Sequence, residues 1–216
     1  MSDNRGYLLG LDANPNRAEL TGYPVNVLLK NLAKVPAKSM MVFIDACFSG
    51  DSPKGMLVRA TSGLTVKITA PKKASDNMIV ITAAEGDQFA SWDEDAKHGL
   101  FTKHLLEALN GAADKHAKTG NKDGKVTLGE VKAYLDREMT YQARRRFSRD
   151  QHATVSGDLK TVLSAYWGEG NFVLQKKSTK CYFVDLGMRT NGVRCQAMLR
   201  HTAIFLNPAL SGHFFC

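Results

Sequence analysis

Two short apolar runs constrain this chain most. Residues 40–44 are Met40, Met41, Val42, Phe43 and Ile44, and residues 78–84 read Met-Ile-Val-Ile-Thr-Ala-Ala. Neither alternates apolar with polar side chains, so each reads as a strand buried on both faces, the pattern of a sheet covered by helices. The long connection between them allows a crossover, and the expected result is two adjacent parallel central strands at 40–46 and 78–83. Helices are expected at about 24–34, with Val25, Leu28, Leu29 and Leu32 on one face, and at about 99–117 and 128–147. Short edge strands are expected at 162–167 and 171–174. The first run ends in Asp45, Ala46 and Cys47 and breaks at Ser49 and Gly50. That puts a thiol and a carboxylate at the carboxyl end of a central strand, where open α/β sheets keep their sites. A buried free cysteine is also ordinary core filler, so Cys47 alone does not decide the matter.

Composition narrows the classes. The 216 residues are 44% hydrophobic and 23% charged, as in an ordinary globular domain with an extension. No apolar run reaches the length of a membrane span, and residues 1–20 show no secretory signal, so a cytoplasmic location is the default expectation. The net charge of +8 raises the question of nucleic acid. Residues 172–216, however, carry six Lys or Arg against Asp185 alone, which leaves the remainder close to neutral. The one dense cluster elsewhere, Arg144, Arg145, Arg146 and Arg149, falls at the end of an expected helix, where cations suit the dipole. No nucleic-acid or membrane partner is expected. The cysteines Cys47, Cys181, Cys195 and Cys216 form no C-x-x-C pair, so a zinc or dithiol motif is not indicated.

The segment D-A-C-F-S-G at 45–50 resembles the nucleophile segment of the caspase and metacaspase cysteine peptidases, in its metacaspase form. The likeness continues through E-G-D-Q at 85–88, H-G-L-F-T-K-H-L-L at 98–106, and a Gln151 to Asp158 segment similar to the family's Q-x-P-x-x-S-G-D, with Ala153 in place of proline. It covers about residues 6–171. The resemblance implies a three-layer αβα caspase-like fold with a central, mostly parallel sheet over residues 1–174. Residues 175–216 form a basic, Cys-containing tail of unknown structure. It also implies a cysteine endopeptidase in which Cys47 attacks the scissile carbonyl.

A thiol near its ordinary pKa is only a few per cent ionised at neutral pH, so a histidine is expected as its base. In caspases it lies about 50 residues upstream of the cysteine. The histidines here are His98, His104, His116, His152, His201 and His213, all downstream of Cys47. His98 also stands in a His-Gly pair, but its surroundings match the start of a helix. The expectation is therefore a domain incomplete on its amino-terminal side, without the base and with an unpaired sheet edge through which copies could associate.

Three further groups carry possible roles. The resemblance implies that Asp45 lines the pocket for the substrate residue before the cleaved bond and pairs with Arg or Lys; the alternative is a carboxylate capping the following turn through backbone N–H groups. Asp93, in the acidic stretch Asp93-Glu94-Asp95, points to the same basic preference or else favours a helix start. Residues 119–130 fit part of an EF-hand loop, with Asn121, Asp123, Thr127 and Glu130 as candidate calcium ligands and Thr119 where an aspartate belongs. The alternative there is a helix–turn–helix connection in which Thr127 and Glu130 form a capping box. Two readings of function follow. One is an endopeptidase acting on protein or peptide substrates after Arg or Lys, with no required cofactor. The other is a catalytically inactive caspase-like binding or regulatory domain.

Overall fold

The computed structural model describes residues 6–8, 14, 17–45, 51–52, 55–56, 72–86, 88–93, 95, 98–166, 172–174, 179–185 and 203–205. Residues 46–50, Cys47 among them, lie outside this set. In chain order the elements that frame the site are α1 (Val25–Leu32), β1 (Ser39–Asp45), β2 (Met78–Thr82), β3 (Trp92–Asp93), β4 (His98–Gly99) and α2 (Leu100–Glu107). They are followed by β5 (Lys125–Thr127), α3 (Leu128–Tyr134), α4 (Thr140–Phe147), β6 (Thr154–Ser156), β7 (Val162–Tyr166), β8 (Phe172–Leu174), β9 (Thr179–Asp185) and β10 (Ala203–Phe205).

The two apolar runs are neighbours in one five-stranded sheet of order β6-β2-β1-β9-β10. β1 and β2 pair in parallel, Met40 opposite Met78 and Ile44 opposite Thr82, as expected. Only β6 runs antiparallel, pairing Thr154 with Thr82. Because side chains alternate along a strand, β1 feeds two cores. Met41 and Phe43, with Ile79 and Ile81, pack among Leu100, Phe101, Leu105, Val131 and Leu135. Met40, Val42 and Ile44, with Met78 and Val80, pack against Val25 and Leu29 of α1. Apolar residues at every position are thus what a strand with helices over both faces requires. The same parity places Asp45 on the α2 side.

The expected helix at 99–117 is interrupted. After α2 the backbone widens through residues 108–112, where Gly111 adopts φ 97°, a left-handed conformation that suits glycine. Ser164 Oγ donates to the carbonyl of Leu109 at 2.6 Å, satisfying an acceptor at this kink. Residues 128–147, by contrast, stay helical throughout, from α3 through 135–139 to α4, and end at Ser148 with φ 53°. The expected strands at 162–167 and 171–174 exist as β7 and β8, but they do not edge the main sheet. They pair antiparallel with each other, and β7 pairs with β5, in a separate three-stranded sheet. Among the described residues no helix is long and apolar enough to cross a membrane.

β9 is the largest departure from the sequence reading, which set 175–216 apart as a tail. Residues 179–185 run parallel to β1 along its whole length, Thr179 opposite Ser39 and Asp185 opposite Asp45. β10 follows on the outer side, Cys181 opposite Ala203. The open edge expected of a sheet lacking a strand is, on this side of β1, occupied by a strand from beyond residue 174. An edge left bare would be a template for association. Amide exchange over residues 179–185 is therefore expected to be as slow as over 39–45, and truncation after residue 174 is expected to produce self-association in analytical ultracentrifugation. Fast exchange at 179–185 together with a monomeric truncated chain would contradict the pairing.

Candidate active site

Asp45 closes β1 two residues before Cys47 and is buried at 5% exposure. A carboxylate taken out of water needs donors, and the start of α2 supplies them. Thr102 donates its hydroxyl to Asp45 Oδ2 at 2.5 Å and its backbone N–H to the same oxygen at 3.3 Å. The residue at the helix N-cap is Gly99, which has no side chain to cap with. Asp45 fills that role from the neighbouring strand, accepting from the third residue of the helix as a capping side chain would. The approach is close: a Cβ on Gly99 would stand 2.0 Å from Asp45 Oδ2 and 2.9 Å from Oδ1. Donors and helix dipole both favour the ionised carboxylate. Of the two roles considered for Asp45, a capping one is present at the start of α2; the turn after the strand lies outside the described residues.

Asp93 has a different occupation. β3 and β4 form a short antiparallel ladder, Asp93 opposite His98, that carries the chain into α2. The Asp93 side chain is fully buried, and its Oδ2 lies 3.0 Å from Lys103 Nζ and 2.8 Å from Arg146 Nη1. Oδ1 accepts the N–H of Asp95 at 3.1 Å, while Arg146 Nη2 reaches Asp95 Oδ2 at 3.0 Å. A buried carboxylate flanked by two cations of its own chain offers no net negative charge to a substrate. Asp93 thus anchors an internal ion-pair cluster joining the β3–β4 ladder, α2 and α4.

The arginine cluster is used in the same way. Arg144 pairs with Asp150, Arg145 reaches the Tyr141 hydroxyl at 3.4 Å, and Arg149 lies 5.7 Å from the centroid of the Phe89 ring. Gln151, fully buried, holds two connections together. Its Oε1 accepts the N–H of Ser91 at 2.9 Å and its Nε2 donates to Ala83 O at 3.0 Å, just past β2. The sequence reading did not single out Gly99, Thr102, Lys103, Arg146 or Gln151 as site residues. Thr102 and Gln151 stood inside recognised segments, but nothing local marks which carboxylate or carbonyl each one meets.

The loop between the two helical stretches is closed by its own hydrogen bonds. Glu130 accepts from the N–H of Asn121 at 3.2 Å and from the N–H and hydroxyl of Thr127, each at 2.9 Å. Thr127 in turn accepts the Glu130 N–H at 3.2 Å, completing a capping box. Asn121 Oδ1 accepts from Asp123 N–H and Asp123 Oδ1 from Lys125 N–H, both at 2.9 Å. Buried Asp114, outside the expected ligand set, accepts from the N–H groups of Asp123 and Gly124 at 3.1 Å. Calcium takes six to eight oxygens from converging ligands. Here those oxygens face backbone donors, and among the described residues no three of His, Cys, Asp and Glu gather to hold a metal. The capping box of Thr127 and Glu130 is present, and the side-chain oxygens of Asn121 and Asp123 accept from amides of the same loop.

Four histidines lie in the described part, and the ring of His152 has Nδ1 3.4 Å from Thr140 Oγ1. His98 is half-buried with Nδ1 3.1 Å from Gly99 O. His104, buried, has Nδ1 3.0 Å from Glu107 Oε2, and His116 Nε2 lies 3.2 Å from Glu138 Oε1. The close approach of His104, above all, holds the Glu107 carboxyl below its ordinary 4.5, against the opposing effect of burial. Burial, then the charge of Glu107, pushes the Tyr134 hydroxyl up.

Two outcomes follow. Gly99→Ala is expected to destabilise the chain by about 1–3 kcal/mol in urea unfolding, because the new methyl group would overlap the Asp45 carboxylate. Glu107 has a lowered folded pKa, so its contribution is complete above 4.5 and lost as pH falls through the folded value. Glu107→Gln is accordingly expected to flatten part of the stability loss below pH 4.5, as read from denaturation midpoints across an acid series.

A family model described as the caspase domain matches residues 2–157, most of the chain. No curated protein and no solved structure matches. The match spans β1, β2, α2 and the helices that pack on them, together with the segment containing Cys47, and on that extent the chain belongs to the caspase-domain family of cysteine peptidases.

Proposed function

We propose that this chain carries a metacaspase-like cysteine endopeptidase site on a three-layer αβα domain, with Cys47 as nucleophile and cleavage after Arg or Lys. The observation that carries the reading is Asp45: a buried carboxylate held in a field that favours its anion, two residues before a cysteine. An anion in that position attracts a cationic side chain and repels an aspartate, and its desolvated setting strengthens the contact. The Cys47 thiolate would add to the scissile carbonyl and form a C–S bond. The C–N bond would then break, the departing amine taking a proton, and water would release the acyl group and restore the thiol. The partner implied is a protein or peptide with a basic residue before the cleaved bond.

A second reading is a caspase-like domain that binds peptides without cleaving them, the outcome where no general base reaches the thiol. General acid–base help is worth about 10²–10⁴-fold. The purified chain, its Cys47→Ala variant and its Asp45→Ala variant are to be assayed with fluorogenic peptides that differ only in Arg, Lys or Asp before the reporter. The endopeptidase reading expects turnover of the Arg and Lys peptides that disappears with Cys47→Ala, and a preference for them that disappears with Asp45→Ala. Preference for Asp would refute the pocket assignment. Binding of Arg peptides without turnover would select the second reading.

A further inference from the structure

We propose that Thr102 is the positioning residue that sets specificity at this site, by fixing the carboxylate of Asp45 through the first turn of α2. The inference rests on the reading of Asp45 as the group that recognises a basic side chain.

The geometry couples two functions in one interaction. Both donors of Thr102, hydroxyl and N–H, converge on a single oxygen, Asp45 Oδ2. An O–H···O distance of 2.5 Å is that of a charge-assisted bond to an ionised carboxylate. With Oδ2 tied at two points and Gly99 abutting both oxygens, the carboxylate plane has little freedom. A recognition carboxylate that could rotate would lose part of its binding energy to ordering itself on each encounter; one already fixed by the protein does not. Gly99 and Thr102, N-cap and third residue of the same helix, thus form a cradle that only glycine at the first position leaves open.

The consequence differs from a merely structural role. Removing the Thr102 hydroxyl leaves the helix amide in place, so the fold keeps one of the two bonds from Thr102 while the carboxylate loses the shorter one. The loss should fall on discrimination between a cationic and a neutral side chain of equal length rather than on peptide binding in general.

The test uses the full chain with Cys47→Ala, to prevent turnover, and fluorescein-labelled peptides ending in Arg or in citrulline, followed by anisotropy. The Cys47→Ala parent is expected to prefer the Arg peptide. Adding Thr102→Val should reduce that preference about tenfold, as expected for a lost hydrogen bond to a charged group. Thr102→Ser should restore it, and Asp45→Asn should remove it. Thermal melts verify folding, and Thr102→Ala replaces the valine variant if that one unfolds. An Arg preference unchanged by Thr102→Val and Thr102→Ala would overturn the role of Thr102 while leaving Asp45 in place. Absence of any Arg preference in the parent would overturn both.

Discussion

The burial of one carboxylate organises this structure. Asp45 lies at the end of a strand with apolar contacts on both faces, where an uncompensated charge would cost several kcal/mol. Its compensation comes from α2, whose N-cap is a glycine and whose first turn therefore lacks a side-chain acceptor of its own. Strand and helix each supply what the other lacks. The position of Gly99, the entry angle of α2 and the orientation of the group beside Cys47 follow from the same pair of hydrogen bonds. The apolar residues of α2 then reach the β1–β2 face as one side of the main core, with Leu100, Phe101 and Leu105 all buried.

A second charge cluster holds the approach to that helix. Asp93 brings Lys103 from α2 and Arg146 from α4 to one oxygen, so the ladder that precedes α2 is tied both to the helix it starts and to a helix more than forty residues further on. Gln151 makes the corresponding link on the other side, between the residue before β3 and the end of β2. Neither residue needs to touch a substrate to matter. Each limits how far the loop carrying His98 and Gly99 can shift against the end of the central strands.

The helical half of the domain uses backbone geometry in the same way. Gly111 permits a left-handed turn between α2 and the short helix after it, and the Thr127–Glu130 box starts the long helical stretch behind it. Between them Gly120 passes so close to Asp114 that a Cβ would stand 1.8 Å from its carbonyl oxygen. The loop resembles a cation loop in sequence because aspartate, asparagine and glycine suit any tight turn rich in side-chain acceptors. Its acceptors are turned toward its own amides.

By itself the sequence determined the elements whose information is local. The all-apolar runs at 40–44 and 78–81 required strands buried on both faces, the spacing of Val25 and Leu29 required α1, and Thr127 with Glu130 spelled a cap before any contact was known. The motif at 45–50 identified the thiol and its neighbouring carboxylate as the place to look. Only the tertiary structure decided how charges were used. Asp45 and Asp93 look alike as acids near a nucleophile, yet one meets a hydroxyl and a helix amide while the other meets two cations, from residues 57 positions away in the first case and 10 and 53 in the second. The same holds for β9. Residues 179–185 have no periodicity of their own, because strand pairing rests on backbone hydrogen bonds that any side chains can accompany. Their place beside β1 is set by the edge that β1 presents and is not written in the segment itself.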